Sequence, residues 1–229
     1  MSGPVPPKTT AYRNTITKAA PDGRLFSPSF DKNAVPILDR LSDLMRGVSG
    51  TVLEIGSGTG QHAATLANAL PALHFVPSDP DPTHRTSIHA WQAHGAKNMA
   101  TPLDLDAGAD WAGDPAVRDL GSLQLILSIN VIHIAPPNVM SGILSGAADR
   151  LAATGKLVFY GPFMENGAHT GAGNQAFDAH LKSRNSQWGL RDIAEIRQSA
   201  RAFGLSMVEV IPMPSNNRML VLSKPAISA

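Results

Sequence analysis

The stretch VLEIGSGTG, residues 52–60, constrains this chain more than any other. Val52, Leu53 and Ile55 form a short apolar run broken by one acid, Glu54, and glycines then follow at alternate positions, Gly56, Gly58 and Gly60. A backbone that loses its Cβ atoms so abruptly can approach a ligand closely. Directly afterwards Ala63, Leu66, Ala67 and Leu70 recur at the spacing of a helix with one buried face, and Pro71 closes it. A glycine turn between a buried strand and a helix N-terminus offers free N–H groups and the positive end of a dipole, which suits phosphate or carboxylate. The same turn can also be merely tight.

The rest of the chain repeats the strand and helix alternation. HFVPSD (74–79) reads as a second strand, and Asp81 with Pro82 forms an N-cap and first-turn pair for a helix to about His94. NMATPLDLD (98–106) reads as a third strand, and LQLILSIN (123–130), apolar on both faces, as the centre of a parallel sheet. Met140, Ile143, Leu144, Ala147 and Leu151 mark a helix, and KLVFYG after Gly155 gives a fifth strand. Helices are predicted at about 174–184 and 190–203, and LSMVEVIPM and NRMLVLSK complete seven strands as an antiparallel pair. The expected fold is therefore α/β: a Rossmann-like, doubly wound, mostly parallel seven-stranded sheet whose last strand pair is antiparallel. Ligands bind such sheets at the carboxyl ends of the strands, where strand order reverses.

At 229 residues, 43% of them hydrophobic, one core is expected from residue 25 to 229, preceded by a flexible leader or lid over residues 1–24. Lysine and arginine number 19 against 18 acids, a net charge of +1, so no field gathers phosphate backbones and no nucleic-acid partner is expected. The absence of cysteine excludes disulfides, thiolate metal sites and a cysteine nucleophile. Neither a signal peptide nor a membrane span is visible, so the expected location is the cytoplasm.

Asp79 ends the second strand 19 positions after Gly60, close to the offset of about 20 at which an acid meets the ribose hydroxyls of a nucleotide. Alternatively it caps the following helix or starts an Asx-turn in SDPDP. The G-x-G-x-G spacing departs from the dinucleotide fingerprint G-x-G-x-x-G and disfavours a nicotinamide cofactor, and no Gly-Lys-Ser/Thr follows to make a P-loop.

LEIGSGTGQHA resembles motif I of the class I S-adenosylmethionine (SAM) dependent methyltransferases. From about Arg24 to Lys224, through SPSFDKNAVPIL, PSDPD, SIHAW, SINVIHIAP, YGPF, NQAFD, WGLRD and MPSNN, the chain resembles a domain-of-unknown-function branch of small methyltransferase-like proteins. The resemblance implies SAM as cofactor and a small-molecule acceptor with an oxygen, sulfur or nitrogen nucleophile. A homodimer is the candidate assembly. It implies that Glu54, Gly56, Ser57 and Gly58 approach the methionine portion of SAM, that Asp79 holds the ribose, and that Leu105 and Asp106 meet the adenine. Asn130 and Val131 would line the side nearest the reactive methyl group. Alternatives are a regulatory module that keeps SAM or its demethylated product without turnover, and methylation of a macromolecule. The family match also makes RLFSPSFDKN (24–33) a candidate lid over SAM.

His133, three residues beyond Asn130, is the candidate general base, since an unperturbed imidazole pKa of about 6.5 suits proton removal at neutral pH. Its other reading is a hydrogen bond to loop backbone. Tyr160, Phe163, His169 and Asn174, from the glycine-rich loop after the fifth strand, and Trp188 and Arg191 from WGLRD, are the candidate acceptor wall. No metal is expected, because His84, His89 and His94 are spaced by five. APPN (135–138) lacks the leading amide and trailing aromatic of the box used by enzymes that methylate amino groups of nucleic acids, so its prolines read as a helix start.

Overall fold

The computed structural model describes residues 18–225, and the first part of the predicted leader lies outside them. Within the described residues the leader's end is folded: β1 (Lys18–Ala19) pairs antiparallel with β2 (Leu25–Phe26). Next comes α1 (Phe30–Leu44), which no sequence expectation covered because Pro36 interrupts it, although Ala34, Ile37 and Leu41 make an apolar stripe at helical spacing. The glycine turn then lies between β3 (Gly50–Ile55) and α2 (Gln61–Ala69), as its sequence requires. Beyond it lie β4 (Leu73–Ser78), α3 (Pro82–Ala93) and the short α4 (Pro115–Arg118). Asp81 caps α3 by accepting from the Thr83 N–H at 2.8 Å, the predicted Asp-Pro start.

The second half is β5 (Leu123–Ile129), α5 (Pro137–Arg150), β6 (Leu151–Pro162), the small pair β7 (Met164–Glu165) and β8 (Ala168–His169), α6 (Ala172–Arg184), α7 (Ile193–Ala202), β9 (Ser206–Met213) and β10 (Asn217–Ser223). The two prolines of APPN do open a helix, Pro137 standing at its first positions.

Six strands form the central sheet in the order β4-β3-β5-β6-β10-β9, parallel through β6 and antiparallel on both sides of β10. The expected third strand is corrected. Residues 98–106 contribute only two isolated bridges to β4, Phe75 with Met99 and Ser78 with Leu103, so the sheet has six strands rather than seven. Pro102, lacking an N–H, lies between those bridges and prevents a continuous ladder.

Alternate residues of the parallel strands feed two cores. Leu53, Ile126, Leu157 and Phe159 face α5 and α7, whereas Val52, Leu125, Leu127, Val158 and Tyr160 pack with Ile37, Leu66 and Ile88 of α1, α2 and α3. Burial on both faces explains why β5 reads as continuously apolar. Strand order reverses at β3, with β4 on one side and β5 on the other, which opens a crevice above their carboxyl ends.

Candidate active site

A cleft with about 1080 Å³ of empty space, part of it open to solvent, lies over that crevice. Its floor is the glycine turn. Gly56 has φ +72°, and a Cβ there would meet Val131 Cγ2 at 2.6 Å, so glycine lets the turn close on the loop after β5. Gly58 has φ +54° and open space where a Cβ would stand, a cradle left empty by the choice of residue. Ser57 N–H donates to the Ser78 carbonyl at 2.8 Å and the Ser78 hydroxyl to the Glu54 carbonyl at 2.7 Å, which ties β3, the turn and β4 together.

Glu54 is 2% exposed, lines the cleft, and its Oε2 has no partner among the described residues. Burial, reinforced by the negative field of Asp79, pushes its carboxyl up to about 7. An isolated buried carboxylate is costly unless a cation pairs with it. The glycine cradle and this oxygen together fit a ligand that brings an ammonium group against its backbone.

Asp79 directly follows β4, and both of its carboxylate oxygens are held. Oδ2 accepts from the Gly58 N–H at 2.9 Å, and Oδ1 accepts from the Asp81 N–H at 2.9 Å and lies 3.1 Å from His84 Nδ1. Asp79 does make the Asx-turn bond to Asp81, but it also grips the glycine turn and lines the cleft. His84 is buried, borders the cleft and holds its ring against Asp79.

Leu105 and Asp106 line the far end, where Asp106 Oδ1 accepts from the Gly108 N–H at 2.8 Å. Asn130 ends β5 with φ +59°, a left-handed conformation that asparagine tolerates and that turns the chain into the cleft. All nine residues expected around the cofactor, Glu54, Gly56, Ser57, Gly58, Asp79, Leu105, Asp106, Asn130 and Val131, therefore meet in one lining.

His133 does not join them. It is 1% exposed, its ring packs edge-on against Phe163 with centroids 4.8 Å apart, and neither ring nitrogen has a partner among the described residues. Burial and then the nearby Arg191 charge push its pKa down to about 3. Its backbone does bond the loop, the carbonyl accepting from the Gly189 N–H at 2.9 Å.

None of the six expected acceptor residues lines the cleft either. Tyr160 is sealed in the core, its hydroxyl donating to Asn33 Oδ1 at 3.0 Å and accepting from Asn217 Nδ2 at 3.1 Å, and Phe163 is fully buried. His169 lies 3.0 Å from Asp178 Oδ2, and Asn174 donates to Thr170 Oγ1 at 2.8 Å. Arg191 braces the loop after β5 from behind, donating to the carbonyls of Ile132 at 3.0 Å and Ala135 at 2.8 Å, and Trp188 lies in the same segment. The loop's opposite side, Val131, Ile134 and Ala135, is what faces the cleft.

Ser27 and Ser29 enter the wall from the strap between β2 and α1, within the stretch named above as a candidate lid. The part of the wall that sequence reasoning missed depends on Gly142 and Gly146 of α5, where added Cβ atoms would run into the Ala107 carbonyl and the Trp111 ring. Their spacing of four on one helix face was the available signal.

The family described as Protein of unknown function (DUF938) matches residues 24–224. The chain belongs to that family. Solved structures share this family member's fold at low sequence identity. The mitomycin 7-O-methyltransferase MmcR is 16% identical with a TM-score of 0.71 over 87% of this chain and 55% of its own. An O-methyltransferase family protein from Burkholderia thailandensis is 17% identical with a TM-score of 0.70 over 87% and 58%. CalO1, a methyltransferase in calicheamicin biosynthesis solved with SAH (S-adenosylhomocysteine) bound, is 17% identical with a TM-score of 0.63 over 85% and 54%. The chain thus spans little more than half the length of each of these structures. Among the described residues no helix is long and apolar enough to cross a membrane, and no group of His, Asp and Glu could hold a metal ion.

Proposed function

We propose that this protein transfers a methyl group from SAM to an oxygen, sulfur or nitrogen atom of a small-molecule acceptor in the cytoplasm. One observation carries the reading: nine residues chosen from sequence converge on a single cleft at the switch point of the sheet, around a buried carboxylate oxygen that lacks a partner among the described residues. SAM would supply an activated sulfonium methyl. Glu54 would face its ammonium, the Gly56 and Gly58 backbone would admit its methionine chain, Asp79 would accept from the ribose, and Leu105 and Asp106 would bound the adenine. Asn130 and Val131 would border the transfer path. Aligning the acceptor with the sulfur–methyl bond supplies much of the rate without a base.

A second reading, a module that retains SAM or SAH without turnover, draws support from the imidazoles. His133 is walled off, and His62, which does line the cleft against Phe30, is pushed down to about 4 by burial, so neither is a strong base at neutral pH.

Calorimetric titration with SAM, SAH and NAD, on wild type and Asp79→Ala, tests the reading. Binding of SAM and SAH alone, weakened in the variant, supports it and justifies an acceptor screen that separates turnover from retention. Failure of SAM and SAH to bind would remove its basis.

A further inference from the structure

Ser27, Ser29 and His62 line the cleft but have no place in the cofactor reading above. Two contacts bring them into one corner. The Ser27 N–H donates at 2.6 Å to Oε1 of Gln61, the residue before His62, and the ring of Phe30, the residue after Ser29, has its centroid 4.9 Å from that of His62. The serine hydroxyl oxygens lie 2.9 Å apart. Two hydroxyls carry two protons and only one is used between them, so the pair keeps a donor with no acceptor among the described residues. Burial pushes the His62 imidazole down to about 4, so at neutral pH it is uncharged and presents one donor and one acceptor nitrogen. The strap that carries the serines is tied down, the Leu25 N–H donating to Ser87 Oγ at 2.8 Å and Trp91 Nε1 to the Leu25 carbonyl at 3.2 Å.

Charge gives an independent constraint. Glu54, Asp79 and Asp106 line the cleft, and among the described residues no lysine or arginine does. SAM carries a sulfonium and an ammonium against one carboxylate, and so offsets only part of this negative charge. The head of α1 adds only about half a positive charge. An anionic acceptor would therefore enter a cleft of its own sign without a counter-ion. The corner's hydrogen bonding separates what remains. A carboxylate only accepts and would leave the acceptor nitrogen of His62 unmet, whereas an ammonium only donates and would leave the spare serine proton unmet. A hydroxyl group does both, and Ile129 and Val131 add apolar wall for the body that carries it.

We infer that the acceptor is an uncharged, hydroxyl-bearing small molecule with an apolar body, its hydroxyl held between the Ser27–Ser29 pair and His62. The inference rests on the reading of this cleft as a SAM site and names the class of acceptor that the site selects.

Benzyl alcohol, benzoate and benzylammonium share one ring and differ in the charge and hydrogen bonding of the head group. Each is titrated calorimetrically into the full-length wild type saturated with SAH, and into the Ser27→Ala/Ser29→Ala and His62→Phe variants, the last of which keeps a ring against Phe30. Wild type should bind benzyl alcohol about tenfold or more tightly than either ion, the effect of a polar group left unpaired on burial. Both variants should lose most of that preference while binding SAH within about twofold of wild type, which also shows that they are folded. An ion that binds wild type as tightly as benzyl alcohol, benzyl alcohol that does not bind, or a preference that survives in either variant overturns the inference and leaves the cofactor reading intact. Variants that lose SAH affinity as well overturn it too, since the corner then serves the cofactor. Wild type that fails to bind SAH removes both.

Discussion

Glu54 couples the stability of the fold to the charge of its ligand. Its folded pKa of about 7 exceeds the ordinary 4.5, so between those values the folded chain holds the extra proton and stability falls as pH rises through the window. Glu54→Gln should flatten that decline, giving a variant more stable than wild type above pH 7 in urea titrations. Under the proposed function an ammonium placed beside the carboxylate would lower its pKa again, so SAH binding at pH 7 should release roughly half a proton. Calorimetry in two buffers of different ionisation enthalpy reads this directly: wild-type enthalpies should differ, and those of Glu54→Gln should agree. His133 acts in the opposite sense. Its folded pKa of about 3 lies below the usual 6.5, so the unfolded chain binds the extra proton and stability falls as pH drops from about 6.5 toward 3. His133→Phe keeps the packing against Phe163 and should remove up to about 1.4 kcal/mol per pH unit from the acid slope. Its SAH affinity should stay within about twofold of wild type, as no His133 atom borders the cleft; equal acid slopes would count against this account.

Helix α5 holds the Ala107 wall of the cleft in place by lacking side chains. Ala107 lines the cleft, and its carbonyl lies where a Cβ of Gly142 would be; the Trp111 Nε1–H donates to the Gly142 carbonyl at 2.9 Å. Helix propensity alone predicts that Gly142→Ala stabilises by about 1 kcal/mol. The steric overlap predicts the reverse, a loss of about 1–3 kcal/mol with weaker SAH binding as Ala107 is displaced. A urea midpoint decides the sign. Such tertiary packing is what sequence patterns lose. Helices α2, α3 and α5 and strands β3, β4 and β5 were legible because their apolar periods, the Asp81-Pro82 start and the Pro137 start are local signals. The reading of 98–106 as a strand failed because its apolar residues served two isolated bridges instead of a ladder, and α1 stayed hidden behind Pro36. The lining of the cleft was legible partly for a similar reason, since the turn, Asp79 and Asn130 all follow strand ends directly, and otherwise through the resemblance of LEIGSGTGQHA to motif I. The acceptor side was not, because a loop after β6 can fold back on the core, as Tyr160 and Phe163 do, or brace another loop from behind, as Arg191 does.

For the molecule as a whole, the cleft joins β3, β4 and β5 to the strap before α1, so filling it should stabilise the entire fold. SAH at about 100 times its dissociation constant should add about 2.7 kcal/mol and raise the melting temperature by roughly 5–10 °C, while NAD leaves it unchanged. A thermal scan that moves with both ligands, or with neither, would contradict the cofactor assignment. The residues that line the cleft all lie between Ser27 and Val139, whereas the partner of the apolar strand β5 on its other side, β6, ends only at Pro162. On the ribosome that order has a cost in time. At about 5–20 residues per second, roughly 2–7 s of synthesis separate the end of β5 from the end of β6. During that interval the chain that will form the cleft walls has already been made, while one edge of LQLILSI waits without its neighbour, so the nascent protein carries an unpaired apolar strand edge just as its cleft is being assembled.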